Sequence, residues 1–325
     1  ANNGKPLNGG ENAKDPSISY IWITGSKTIL VSYHSETGEI GIESYRAVLG
    51  NPGTSSFSFV NRLSVFEGLG VDYAYKSLPV SVCIPSSSMD GYFVLLWGES
   101  YVNAAGDAGL KYQTGFLSST GALSWRLPEP VLLSGTHKNS EPAVAVDGYG
   151  FHLATNYNGS AIYYRKATLN SQTGLLSCNA PLSVSNGSGF AGVCNPSIAV
   201  SPSNNSSYII GFIGKSGTNR SAVSYERIGG GFYYFKFGTG LQTQNIDIII
   251  DPATNYYKPV LSWYDTKGAP NKFCRLNGTG SYPQYSNLTG PMVTLPGTSL
   301  TNTVGYVMKE SSAPYTFTKT NSFYG

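Results

Sequence analysis

Hydrophobic positions along this chain fall in short, strand-length runs, and the runs recur. One kind places a proline after its opening residue: Asp15-Pro16-Ser17-Ile18, Leu78-Pro79-Val80-Ser81-Val82, Glu141-Pro142-Ala143-Val144-Ala145-Val146 and Asn195-Pro196-Ser197-Ile198-Ala199-Val200. These prolines are 63, 63 and 54 residues apart. A fifth copy without proline runs Asn245-Ile246-Asp247-Ile248-Ile249-Ile250, and a weaker sixth opens near Leu300. After each opener comes an apolar run ending in an aromatic: Ile29 to Tyr33, Tyr92 to Trp97, Phe151 to Tyr157, Tyr208 to Phe212 and Val260 to Trp263. Tyr-rich third runs follow, as in Ile40 to Tyr45, Leu110 to Phe116 and Ala161 to Arg165, with a fourth leading to the next opener. Four antiparallel strands per repeat describe a β-propeller blade.

The pattern predicts one all-β domain over residues 1–325, with six four-stranded blades opening near 16, 79, 142, 196, 246 and 300. The last unit is short, so its missing strand is expected from Ala1 to Lys14, closing the ring by pairing the two chain ends. Proline is expected at the first residue of each opening strand, where a missing N–H costs the sheet least.

Composition agrees. Charged residues make up 12% of the chain, against about 25% in a typical soluble domain. Tyr (24) and Gly (39), with Ser and Asn, take their place, and strong helix formers are sparse. A net charge of +3 with no basic stripe excludes the electrostatic footprint of a nucleic-acid binder. No apolar run approaches the about 20 residues of a membrane helix. An N-terminus reading Ala1-Asn2-Asn3 suits a processed secreted or cell-surface chain. Seven sequons, at Asn158, Asn186, Asn204, Asn205, Asn219, Asn277 and Asn287, fit that setting as N-glycosylation positions. Cys83, Cys178, Cys194 and Cys274 lack metal-ligand spacing. Cys178 and Cys194 are close enough to suggest a disulfide, whereas Cys83 and Cys274 belong to remote units and are expected to stay unpaired with each other.

Two hairpins, Ser118-Ser119-Thr120-Gly121-Ala122-Leu123-Ser124-Trp125 and Ser171-Gln172-Thr173-Gly174-Leu175-Leu176-Ser177-Cys178, resemble degenerate Asp boxes, the hairpins of sialidase-like propellers. In the first, Ser118, Ser124 and Trp125 match, Thr120 replaces the Asp and Ala122 a Gly. The resemblance implies the propeller fold, not the sialidase reaction, because the opening blade reads Lys14-Asp15-Pro16-Ser17-Ile18 without the arginine that sialidases carry there. Asp15-Pro16-Ser17-Ile18 also resembles the opener of five-bladed glycoside hydrolases, in which that Asp is a general base. Glu141 is then the candidate acid, since two carboxylates flanking the glycosidic bond are the chemical minimum.

Openers and second-strand ends share one face of a propeller. Tyr33, Trp97, Tyr157 and Trp263 are therefore candidate sugar-stacking aromatics, and Asn195 and Asn245 candidate hydroxyl partners. The alternative role for each aromatic is packing between blades. No cofactor or metal site is expected: His34, His137 and His152 are scattered, and Asp147-Gly148-Tyr149-Gly150 and Asp265-Thr266-Lys267-Gly268 read as turns. The expected function is non-catalytic binding or adhesion, with carbohydrate or another surface glycoconjugate as partner. A self-associating structural subunit of a surface layer, sheath or filament is the second expectation. A glycoside hydrolase or polysaccharide lyase is the third.

Overall fold

In a computed structural model of the chain, the described residues are 13–23, 26–35, 39–48, 56–65, 73–85, 91–101, 109–136, 140–147, 150–186, 188–200, 208–228, 231–237, 243–250, 259–265, 271–275, 302–310 and 313–321. Among them there is no helix, and every sheet is antiparallel. The first sheet holds β1 (Ala13–Ile23), β2 (Ser26–Ser35), β3 (Ile40–Val48) and β4 (Ser56–Val65) in that order. The second holds β5 (Tyr73–Pro85), β6 (Gly91–Tyr101), β7 (Leu110–Leu117) and β8 (Leu123–Trp125), with β9 (Val131–Leu132) continuing along β7. The third repeats this with β10 (Pro142–Asp147), β11 (Gly150–Tyr157), β12 (Ala161–Leu169), β13 (Leu176–Cys178) and β14 (Leu182–Ser183). The fourth holds β15 (Gly192–Val200), β16 (Tyr208–Ser216), β17 (Asn219–Ile228) and β18 (Gly231–Phe237). Then come β19 (Thr243–Ile250), β20 (Pro259–Asp265) and β21 (Asn271–Arg275), and a last pair, β22 (Asn302–Glu310) and β23 (Ala313–Asn321). The fold class is that of the β-propellers.

By contact density the chain divides into two compact units, residues 1–151 with 166–179, and residues 152–165 with 180–325. In the first unit β1, β5 and β10 pack side by side, and in the second β15 packs on β19, so first strands neighbour first strands. The expected closing segment lies outside the described residues up to residue 12, while Ala13 and Lys14 begin β1, paired with Ser35 and His34.

Proline sits elsewhere than expected. Only Pro142 is the first residue of its strand; Pro16, Pro79 and Pro196 lie inside theirs. The register slips between Lys14 and Ser17, between Ser77 and Val80, and between Cys194 and Ser197, so each of these prolines occupies a β-bulge. An unpaired bulge position needs no N–H for the ladder, which is how an interior strand tolerates proline. The carbonyl of Pro79 is turned aside and accepts from Ser32 Oγ, 3.2 Å away on the preceding sheet.

The core of the first unit lies between its first two sheets, where Leu30, Ile40, Ile42, Phe93, Leu95, Trp97, Leu117 and Leu123 form one buried cluster. A repeated pair of hydrogen bonds joins sheet to sheet here. Ser44 Oγ on β3 donates to the Gly121 carbonyl of the next sheet's hairpin (2.6 Å), and Thr114 Oγ1 on β7 donates to the Gly174 carbonyl of the one after (2.7 Å). Asn61 Oδ1 accepts from Leu123 N and Tyr112 Oη from Leu176 N, so the same hairpin positions are held again. Gly121 and Gly174 have φ of 88 and 78, which explains their glycines. The first hairpin closes on Ser118, whose Oγ accepts from Ala122 N. The second closes one residue earlier than the Asp-box reading places it, on Asn170, whose Oδ1 accepts from Gln172 N and Thr173 N. Ser171 instead gives its carbonyl to Arg126.

The expected disulfide does not form: among the described residues neither Cys178 nor Cys194 is disulfide-bonded, and nor is Cys83. Cys178 is paired opposite Ala167 at the rim of the third sheet, and Cys194 opposite Ile213 within the fourth. Each cysteine is thus committed to its own ladder. Cys274 lies outside the residues whose side chains are described. Burial pushes the Cys83 thiol well above its ordinary range, and Cys194 is buried too, whereas Cys178 is half-buried. Alkylation of the native protein followed by peptide mapping is therefore expected to modify Cys178 ahead of Cys83 and Cys194, and a Cys178–Cys194 cross-linked peptide would contradict the fold as described.

Candidate functional site

Tyr33, Trp97 and Phe212 are equivalent residues, each opposite a proline bulge: Tyr33 faces Asp15-Pro16, Trp97 Leu78-Pro79 and Phe212 Asn195-Pro196. All three have 0% exposure. The two proposed as sugar platforms, Tyr33 and Trp97, are thereby placed in the interior. Their polar atoms meet two carboxylates that sequence reasoning passed over. Tyr33 Oη donates to Glu43 Oε1 (3.0 Å), and Tyr45 Oη donates to Glu43 Oε2. Trp97 Nε1 donates to Glu99 Oε1 (2.8 Å), while Lys111 Nζ lies 3.0 Å from Glu99 Oε2. Burial first, and then the Glu43 carboxylate, raise the Tyr33 and Tyr45 hydroxyls far above the usual tyrosine range, so both remain donors. Glu43 and Glu99 are 1% exposed and spend their oxygens on these partners, which makes them structural groups rather than a pair facing a substrate. A glutamate two residues after an aromatic, as in Trp97-Gly98-Glu99, was the available signal.

Of the other candidates, Glu141 is half-buried just ahead of β10, and the side chains of Asp15, Asn245 and Trp263 lie outside the described residues. Asp147 Oδ1 accepts from Gly150 N (2.7 Å) and its Oδ2 pairs with Lys166 (3.0 Å). The sequon residues Asn158, Asn186 and Asn219 are exposed, and Asn204, Asn205, Asn277 and Asn287 lie outside the described residues.

Tyr157 and Asn195 remain half-exposed, and the second unit brings their elements together. Tyr157 ends β11 at a tight Asn158-Gly159 turn, with φ of 46 and 73, the signature of a type I′ hairpin. Gly159 O accepts from Val193 N (2.8 Å), so the hairpin is tied to β15 two residues before Asn195. The Tyr157 ring meets Tyr163 edge-on at 5.5 Å, leaving it braced. Asn195 has φ 50, a left-handed conformation uncommon outside glycine, on the residue that precedes the bulge proline. A half-exposed aromatic on a hairpin tied to the strand that holds a half-exposed amide is chemistry suited to a polar ligand with an apolar face.

No protein-family model and no curated protein matches the sequence. Among solved structures, an AofleA mutant from Arthrobotrys oligospora, with three arginines changed to alanine, is 14% identical over 81% of this chain and 68% of that one, with a TM-score of 0.51. A GH43_1 enzyme from Xanthomonas citri complexed with xylose is 14% identical over 86% of this chain and 94% of that one, TM-score 0.44. The catalytic domain of a GH62 α-L-arabinofuranosidase from Coprinopsis cinerea is 14% identical over 84% and 87%, TM-score 0.39. These similarities concern fold. No sialidase is named among these three.

Proposed function

We propose that this chain is a non-catalytic carbohydrate-binding β-propeller of the cell surface or extracellular space, and that Tyr157 and Asn195 belong to its ligand site. The observation that carries the reading is their joint survival as half-exposed residues on tied elements, while Tyr33 and Trp97 are consumed by the core. A sugar ring lays its C–H face on an aromatic and gives its hydroxyls to planar polar partners, which is what a half-exposed tyrosine and a half-exposed asparagine on tied elements offer. Catalysis would need two available carboxylates; Glu43 and Glu99 are already committed, so the hydrolase alternative rests on Asp15 and Glu141.

A glycan array on monomeric protein tests this, followed by titration of Tyr157→Ala. Binding is expected to weaken by about 1–3 kcal/mol, the range for a lost aromatic contact, with little change in melting temperature because the ring is half-exposed. Absence of any glycan ligand would overturn the reading. Release of reducing sugar that disappears in Asp15→Asn would replace it with the hydrolase.

A further inference from the structure

The fourth sheet turns from its second strand to its third with a cation on either side. Ser216 pairs with Asn219 across the two-residue turn Gly217-Thr218, and the next pair is Lys215 opposite Arg220. Gly217 has φ 57 at the first central position, as a type II′ turn requires, which fixes the register that opposes the two cations. Directly opposed residues of an antiparallel pair project to the same face with Cβ atoms about 4.5–5.5 Å apart, where like charges destabilise. Both side chains are half-buried, and among the described residues neither has an ion pair. By contrast, Arg62 has a carboxylate at 2.9 Å and Lys111 and Lys166 each have one at 3.0 Å.

The row continues on β15 with Gly192, opposite Lys215. A Cβ at Gly192 would lie 3.6 Å from Lys215 Cβ, 3.7 Å from its Cδ and 3.4 Å from the Gly159 carbonyl. The lysine stem therefore lies over bare backbone, beside the hairpin that carries Tyr157. A like-charge pair with no ion-pair partner among the described residues, held beside the Tyr157 hairpin, is what an anion would neutralise. Arginine and lysine both make charge-assisted hydrogen bonds to carboxylate or sulfate.

We propose that Lys215 and Arg220 form an anion subsite, so that the ligand is an acidic glycan whose carboxylate or sulfate takes the two cations while its ring reaches the Tyr157 hairpin. This rests on the carbohydrate reading above and names the class of sugar.

Calorimetric titration with three probes tests it: a glucuronic-acid-containing disaccharide, its sulfated form, and the neutral glucose counterpart. The better acidic probe is expected to bind about tenfold or more tighter than the neutral one, as one charge-assisted bond allows, and which acid wins identifies the anion. That advantage should shrink between low and roughly physiological salt. It should vanish in Lys215→Gln/Arg220→Gln, whose melting temperature should equal or exceed the parent's because a repulsion is gone. Each single substitution should remove part of the advantage, a second readout if the double variant folds poorly. Equal affinity for acidic and neutral probes, or an advantage that survives both substitutions, overturns the subsite and leaves the carbohydrate reading standing. Sodium sulfate alone binding as tightly as the sulfated sugar overturns it in favour of a free-anion site. Failure of all three probes on a protein that also binds nothing on the array removes the carbohydrate reading itself.

Discussion

Trp97→Ala is expected to cost about 3–5 kcal/mol of folding free energy, the range for deleting a large core aromatic. The ring is 0% exposed and sits in the cluster between the first two sheets with Leu95, Phe93 and Leu30. Its loss does more than open a cavity. Glu99 Oε1 loses its donor in a place where the carboxylate is fully buried, leaving Lys111 on the other oxygen as the partner that remains in this pair. An acceptor left unmatched in the interior carries a penalty of about 1–3 kcal/mol. Trp97→Phe separates the two contributions, because it retains most of the volume and removes the N–H. Denaturant unfolding of both variants measures this, and a loss below about 1 kcal/mol for Trp97→Ala would show that the side chain is not in the core.

The second large effect is expected at Gly115, whose place opposite Phe93 leaves no room for a methyl group. A Cβ there would stand 2.3 Å from Phe93 Cζ and 2.4 Å from the Ser124 carbonyl. Phe93 is 0% exposed and tilted against Trp125 at 5.5 Å, so it cannot swing aside. The Ser124 carbonyl is backbone, on the short strand whose hairpin Ser44 and Asn61 hold in place. Gly115→Ala is therefore expected to cost at least the about 1–3 kcal/mol of core overpacking. At Gly41 the three atoms nearest an added Cβ all belong to the Tyr33 side chain, the first of them Cζ at 2.4 Å, with no backbone atom among them. Gly41→Ala should be the milder change, and the reverse order in parallel denaturation curves would contradict the packing described.

Much of this was legible in the sequence. The openers at 16, 79, 142, 196 and 246 each fall in the first strand of a sheet, because alternation and proline are local signals. What proline meant was not legible. A bulge is a relation between two strands, so the displacement of Pro79 from the ladder appears only when Ser77 is paired with Gly98 and Val80 with Leu96. The same blindness left Trp97 open between a sugar platform and a packing side chain, because an aromatic ending an apolar run looks identical whether it faces solvent or the interior. The disulfide failed similarly, since fifteen intervening positions limit separation along the chain but say nothing of which ladder claims each cysteine. Lys215 and Arg220 could have been found. A Gly-Thr turn between Ser216 and Asn219 implies that the flanking cations oppose each other.

The two hydroxyl-to-carbonyl joints bear on how such a chain can grow. The second sheet carries both halves of the joint, Gly121 to receive from Ser44 and Thr114 to donate to Gly174. A segment that brings its own donor and its own acceptor can be duplicated in frame without inventing a new seam, because the copy finds on each side the counterpart its parent already fitted. Duplication of part of such a segment strands one half of the joint. The permissible steps in the length of this sequence are then whole repeats, which is the spacing its prolines still record.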